Sequence, residues 1–378
     1  MYNSCDVLFA VTGDATRNSR ALRQVRALAG AGYSVRVLSL SGPHEDPLPS
    51  GVSVDAFPTP HGRGPRFFRA LHEAFRERSA NVRAAVYHAS DLFCLPAVAR
   101  ASRIHGGRLI YDSRELYTAL GAAHRRPWAR AVWYLVERRY IRRADVVLTV
   151  NEPIADALQA LYHIRRPVVL PNVPAMRRTS PSGRLRAMAR IADGAALVLY
   201  QGYLKAGRGC LIAVDAIRDL PHATLVLLGE GALAPEIERR AARNRMQDRV
   251  VILPMVHPDE LLSLTADADV GLCLIEDLSR SLRLSLPNKL FEYAAAGVPI
   301  LGSDLPEIRR LVCGFEVGLL ARPGDVGNTR DVLHEMLRDA ERRKRWSENT
   351  HRLASAYDPV LIEHRFLEAY RQLCLPGA

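Results

Sequence analysis

Residues 6–40 read DVLFAVTGDATRNSRALRQVRALAGAGYSVRVLSL. The apolar run at 6–11 has the length and residue types of a buried strand, and the polar loop TGDATRNSR follows it. Leu22, Val25 and Leu28 then recur at helical spacing until Gly30 and Gly32 close the segment, and YSVRVLSL supplies a second strand. Strand, helix and strand in direct succession predict a parallel sheet with crossover helices.

The rhythm continues outward from this stretch. A helix near 66–79, the strand RAAVYHA, the helix LPAVARASRIHG, the strand RLIYDS, the helix PWARAVWYLVERRYIRRA and the strand DVVLTV follow in order. After NEPIADALQALYHI and PVVLPNVP, the polar segment AMRRTSPSGRLRAMARIADGA breaks the pattern. The pattern restarts with ALVLYQG, a helix at 208–219, ATLVLLGEG, a helix at 233–245, RVVILPMV, a helix at 258–267, DVGLCLI and PILGSD. The expected organisation is a Rossmann-like domain at 1–175, a second one at 176–355, and a terminal helix at 356–378 packing back toward the first. Ligands of such halves are expected in a cleft faced by the C-terminal ends of the strands.

At 378 residues the chain can bury a core in each half. No run of about 18 apolar residues suggests a spanning helix. The start lacks the marks of a secretory leader, and the six cysteines are scattered without a C-x-x-C pair. A reduced, cytoplasmic protein without a zinc site is the expectation. The net charge of +12 suits a phosphorylated substrate or an anionic membrane face, and a GC-rich coding sequence offers a plainer source of arginine. Nucleic-acid binding would rest on charge alone, since no module signature is present. A dinucleotide dehydrogenase is disfavoured because the first loop lacks G-x-G-x-x-G.

The stretch SLPNKLFEYAAAGVP at 285–299 begins a helix with an amide, a cation and a carboxylate. Pro287 is expected in the first turn, where a missing N–H costs nothing. The free amides of that turn and the helix dipole favour an anion. Asn288, Lys289 and Glu292 occupy neighbouring helical positions, so phosphates at the helix start and a ribose diol at Glu292 would describe a nucleoside diphosphate. The plainer alternative is a capped helix with a surface Lys–Glu pair.

SLPNKLFEYAAAGVPILGSDLPEI resembles the donor motif of the GT-B retaining glycosyltransferases, family 4 type. The likeness extends over VYHASDLFCLPAVARASRIHGGRLIYDSRELY, ERRYIRRADVVLTVNEPIADAL, LYQGYLKAGRG and LVLLGEGAL. The resemblance implies metal-independent transfer from a UDP- or GDP-type sugar, with no cofactor and with retention of configuration. It implies ribose at Glu292 and the diphosphate near Gly13, Gly202, Gly229, Glu230, Ser285, Leu286, Pro287, Asn288 and Lys289. Val256, in LPMVH, would help to hold the base. Arg208, where the family usually carries lysine, would neutralise the leaving group. His88 and Asp91 are the further catalytic candidates; Arg17, Arg20, Ser90, Arg114 and Glu115 are candidates for the acceptor side.

Three positions depart from the family pattern. HAHD reads His88-Ala89-Ser90-Asp91, DSHE reads Asp112-Ser113-Arg114-Glu115, and the first glutamate of the E-x7-E pair is Leu284. The lost histidines leave a non-catalytic GT-B subunit and a thiol acceptor as alternatives, and a sugar-nucleotide epimerase is a further one with the same architecture. Asp267-Ala-Asp269 is expected to cap a strand start rather than bind metal. Arg125, Arg126, Arg130, Arg138, Arg139, Arg142 and Arg143 gather around Trp128, Trp133 and Tyr134, and Phe67 and Phe68 stand in a second basic stretch. That mixture suits peripheral contact with the inner membrane face and a lipid-linked acceptor. A homo-oligomer is a further candidate assembly.

Overall fold

A computed structural model of the chain describes residues 3–16, 18–41, 48–62, 64–120, 126–174 and 179–374. The chain divides into two compact units, one comprising Met1–Asn172 with Val360–Ala378 and the other Val173–Pro359.

The first unit is built on β1 (Asn3–Val11), β2 (Val35–Leu40), β3 (Val52–Phe57), β4 (Val82–Ala89), β5 (Arg108–Ser113), β6 (Val146–Thr149) and β7 (Val168–Val169). They form a seven-stranded sheet in the order β3-β2-β1-β4-β5-β6-β7, and every pair is parallel. Sequence reasoning missed strand β3, a six-residue edge strand, although Val52, Val54 and Ala56 alternate with Ser53 and Asp55. The helix Pro359–Cys374 belongs to this unit's core: Phe366, Leu367, Ala369 and Tyr370 pack with Val7, Phe9 and Val86.

The second unit carries β8 (Ala196–Gln201), β9 (Ala223–Leu228), β10 (Val250–Leu253), β11 (Val270–Cys273), β12 (Ile300–Ser303) and β13 (Gly318–Ala321). Their order is β10-β9-β8-β11-β12-β13, again parallel throughout. Strands β8, β9 and β11 are almost wholly buried, as expected where helices cover both faces of a sheet. In both units the strand order reverses beside the first strand, between β1 and β4 and between β8 and β11. The loops after those strands flank a topological switch point, where open α/β sheets bind ligands.

Candidate active site

The helix Asn288–Ala295 starts one residue later than the sequence suggests. Pro287 is its N-cap, with extended backbone at φ −69° and ψ 134°, so it precedes the first turn. The proline holds φ near its fixed value and hands over to Asn288, whose amide, like that of Lys289, has no carbonyl partner inside the helix. Leu286 and Pro287 are buried, and Ser285 donates through Oγ to Leu282 O at 2.7 Å.

Lys289 is not half of a surface ion pair. Only 8% of it is exposed, its Nζ has no hydrogen-bond partner among the described residues, and that ammonium lies 3.7 Å from the centroid of the Tyr200 ring. Burial pulls its pKa down to about 8; the charge of Arg208 adds to the lowering, while Cys273, Cys210 and Glu292 oppose it. The two thiols offer little compensation, since burial raises the pKa of both, Cys273 to about 12.

Glu292, one turn on, accepts a hydrogen bond from Gln201 Nε2 at 2.5 Å. Gln201 ends β8, and its Oε1 accepts from Thr265 Oγ1 at 2.8 Å. A buried amide fixed at its other end thus aims the carboxylate without exhausting the acceptor capacity of a carboxylate. Gln201 and Thr265 escaped sequence reading; the only signal was a polar residue ending an apolar strand directly before a glycine.

The loops around this helix lie backbone against backbone. A Cβ on Gly229 would stand 2.0 Å from Gly202 O, so only glycine permits this approach. Gly202 N donates to Leu228 O at 3.0 Å and Leu204 N to Glu230 O at 2.8 Å. Glu230 itself is exposed and Val256 half-buried. Arg208 is half-buried and makes no hydrogen bond or ion pair among the described residues.

The two carboxylates of Asp267-Ala-Asp269 are committed to structure. Asp267 accepts from the amides of Ser182, Gly183 and Leu185 at 2.6, 2.8 and 2.7 Å. Asp269 accepts from Leu197 N at 2.7 Å and from Arg186 Nη2 at 2.5 Å.

In the first unit several expected ligand contacts become internal ones. Arg20 does not present its guanidinium to a ligand: it forms a buried, bidentate pair with Asp112, at 2.7 and 2.9 Å, and donates to Leu170 O at 2.6 Å. All the directions of its planar fork that matter are spent there. His88 is fully buried, shares a hydrogen bond of 2.7 Å between Nδ1 and Tyr370 Oη, and stacks on Phe9. Burial drives its pKa down to about 3, against the pull of Asp112, with Arg20 and Arg114 adding to the lowering. As placed, His88 anchors the terminal helix through Nδ1, while its buried Nε2 has no hydrogen-bond partner among the described residues.

Asp91 is likewise occupied. It accepts from Thr12 N and Oγ1, Phe93 N and Cys94 N at 2.8–3.1 Å, and Arg114 Nη2 stands 3.6 Å away. Its work is to tie the loop after β4 to the loop after β1, in which Gly13 adopts φ +130°. Ser90 is buried, and Glu115 is half-buried. Arg17 lies outside the described residues. Two cavities of about 460 and 440 Å³ lie apart from the candidate residues, beside Thr118 and Tyr134 and beside Thr179 and Lys344.

The chain is similar to known proteins in sequence and in fold. The family description "Glycosyl transferase 4-like domain" matches residues 18–173, and "Glycosyl transferases group 1" matches residues 195–339. The chain is 27% identical to a glycogen synthase of Mycobacterium tuberculosis over 88% of this chain and 85% of that one. It is 22% identical to an alpha-D-kanosaminyltransferase of Streptomyces kanamyceticus over 63% of each. In fold it resembles a sucrose-phosphate synthase of Thermosynechococcus elongatus, at TM-score 0.80, 18% identity and coverage of 97% and 99%. It also resembles Anabaena HepE crystallised with UDP-glucose, at TM-score 0.74, 18% identity and coverage of 97% and 100%. With one glycosyltransferase description on each unit and the two parallel sheets of that fold, the chain belongs to the GT-B glycosyltransferases of family 4 type.

Proposed function

We propose that this enzyme moves a sugar from a nucleoside diphosphate sugar to an acceptor with retention of configuration and without a metal ion. The observation that carries this is the buried ammonium of Lys289, which has no hydrogen-bond partner among the described residues and sits in the first turn of a helix. Arg208 acts electrostatically on it, and Glu292 lies one turn beyond. A diphosphate would take the first-turn amides and both cations, and the ribose diol would donate to Glu292. The UDP-glucose held by HepE is a compound of this kind.

In this scheme the bond between the anomeric carbon and the diphosphate oxygen breaks while negative charge grows on phosphate. Arg208 and the helix amides, already oriented, stabilise that charge. The acceptor oxygen bonds the anomeric carbon on the same face, and its proton passes to the departing diphosphate. Asp91 and the Nδ1 of His88 are engaged internally, so in this scheme the departing diphosphate takes the proton in place of a side-chain base from that pair.

Thermal-shift and nucleotide-release assays with UDP, GDP and dTDP sugars test the reading. Stabilisation by one nucleotide series, with nucleotide freed when acceptor is supplied, is the expected result. Binding without release under any condition would instead indicate a non-catalytic subunit. Sugar interconversion without acceptor would indicate an epimerase.

A second observation favours a membrane-borne acceptor. On the helix Pro127–Ile141, Trp128, Val132 and Leu135 are 58, 51 and 60% exposed and recur at i, i+4 and i+7. Arg130, Arg138, Arg139, Arg142 and Arg143 are exposed around them, and none has a carboxylate partner among the described residues. An anionic bilayer satisfies both halves of that surface. Among the described residues no helix is long and apolar enough to cross a membrane. Co-sedimentation with phosphatidylglycerol vesicles but not with neutral ones, abolished by Arg138→Glu with Arg142→Glu, is expected; equal binding to neutral vesicles would remove this reading.

A further inference from the structure

Arg208 stands between two glycines whose amides share one acceptor. Gly207 N and Gly209 N both donate to Glu276 Oε1, at 3.1 and 3.3 Å. Glu276 returns a bond from its own amide to Gly207 O at 3.2 Å. The backbone on each side of Arg208 is therefore fastened to one residue of the segment that follows β11, across the switch point from β8.

The loop is shaped for this contact. Gly207 and Gly209 adopt φ +82° and +72°, where side-chained residues are strained. A Cβ on Gly209 would lie 2.1 Å from Leu274 O, and one on Gly207 would lie 2.9 Å from Leu282 Cδ1. Two adjacent-but-one amides converging on one oxygen form the kind of concavity that holds anions, and here a carboxylate of the chain itself fills it. Because that oxygen is internal, the loop is set before any ligand arrives, and the Arg208 side chain is left without a hydrogen bond or ion pair among the described residues.

We propose that Glu276 is a positioning residue, which fixes the loop so that the Arg208 guanidinium is already aimed when a diphosphate binds; the functional half of this rests on the role of Arg208 given above. Misplacing a charged group by about 1 Å can cost two orders of magnitude in rate, so a clamp on its backbone matters.

The test combines amide exchange with binding. In Glu276→Ala, exchange at Gly207 and Gly209 should accelerate at least about tenfold, and affinity for UDP, GDP or dTDP, whichever the wild type binds, should fall about 5- to 10-fold. Glu276→Gln keeps a carbonyl oxygen for both amides and should stay within about twofold of wild type in both measurements. In an Arg208→Ala background, Glu276→Ala should add no further loss of affinity, because it acts through the arginine.

Unchanged exchange in Glu276→Ala overturns the clamp. Faster exchange with unchanged affinity overturns its link to Arg208, and a glutamine variant as impaired as alanine shows that charge, not position, is the cause. If Arg208→Ala leaves diphosphate affinity intact, or no diphosphate binds, the reading of Arg208 fails on its own while the exchange data still decide the clamp.

Discussion

At the scale of single residues, Lys289 has the most to lose by being where it is. An ammonium withdrawn from water without a hydrogen-bond partner costs several kcal/mol, and under the function proposed above a bound anion would offset that cost. The groups facing it are Tyr200 and Cys273 from the sheet, Cys210 and Arg208 from the loop and helix after β8, and Glu292 from its own helix. With its pKa held near 8 in the free protein, Lys289 gives up its proton in mildly alkaline solution. A bound diphosphate would pull that pKa back up. Diphosphate affinity should therefore decline as pH rises through about 8, and Lys289→Met should flatten the decline; calorimetry at pH 7 and 9.5 reads the difference. Glu292→Ala should weaken nucleotide affinity by about 1–3 kcal/mol. Unchanged affinity would take the ribose away from Glu292.

At the scale of elements, the helix Pro127–Ile141 shows how one segment serves two surroundings. Its outward side is arginine-rich, while Glu137 turns inward and is fully buried. Tyr111 and Tyr162 each donate to that carboxylate at 2.7 Å. Burial pushes the Glu137 pKa from 4.5 up to about 7, with the bonds from Tyr162, Tyr111 and Ser113 pulling it back. Between those two values the folded protein holds a proton that the unfolded chain has released. This contribution to stability is complete below about 4.5 and is lost as pH rises through about 7. Glu137→Gln, which keeps the shape without the charge, should gain on the wild type by a few kcal/mol between pH 4.5 and 8. Urea unfolding at both ends of the range measures the gain, and a constant gap would show that Glu137 is ionised in the fold at all these pH values.

At the scale of the whole molecule, each unit solves the same problem at its switch point. In the first, Asp91 beyond β4 holds the amide of Thr12 beyond β1. In the second, Glu276 beyond β11 holds the amides around Arg208 beyond β8. Parallel strands leave their C-terminal loops without ladder partners, and a carboxylate from the neighbouring loop supplies the acceptor. The terminal helix makes a prediction at this scale. Cutting the chain after Asp358 removes Phe366 and Tyr370 from the first unit's core and touches none of the second unit's core residues. Limited proteolysis of such a protein should degrade residues 3–172 well before 179–358; equal resistance would mean that the helix is dispensable. The milder Tyr370→Phe, which unpairs His88, should cost about 1–3 kcal/mol.

The alternation of apolar strands with amphipathic helices, the glycine-rich loops and the SLPNKLFEY stretch were readable from sequence, because periodicity and backbone freedom are properties of neighbouring residues. Lys289 and Glu292 could be singled out the same way, being one helical turn apart. What the chain order could not supply was the pairing of distant groups: Arg20 with Asp112, His88 with Tyr370, Gln201 with Glu292, and Glu276 with the loop of Arg208. A charged side chain reads alike in sequence whether it meets a ligand or a partner 90 positions away. Burial and hydrogen-bond geometry, which exist only once the sheets have closed, separate the two fates.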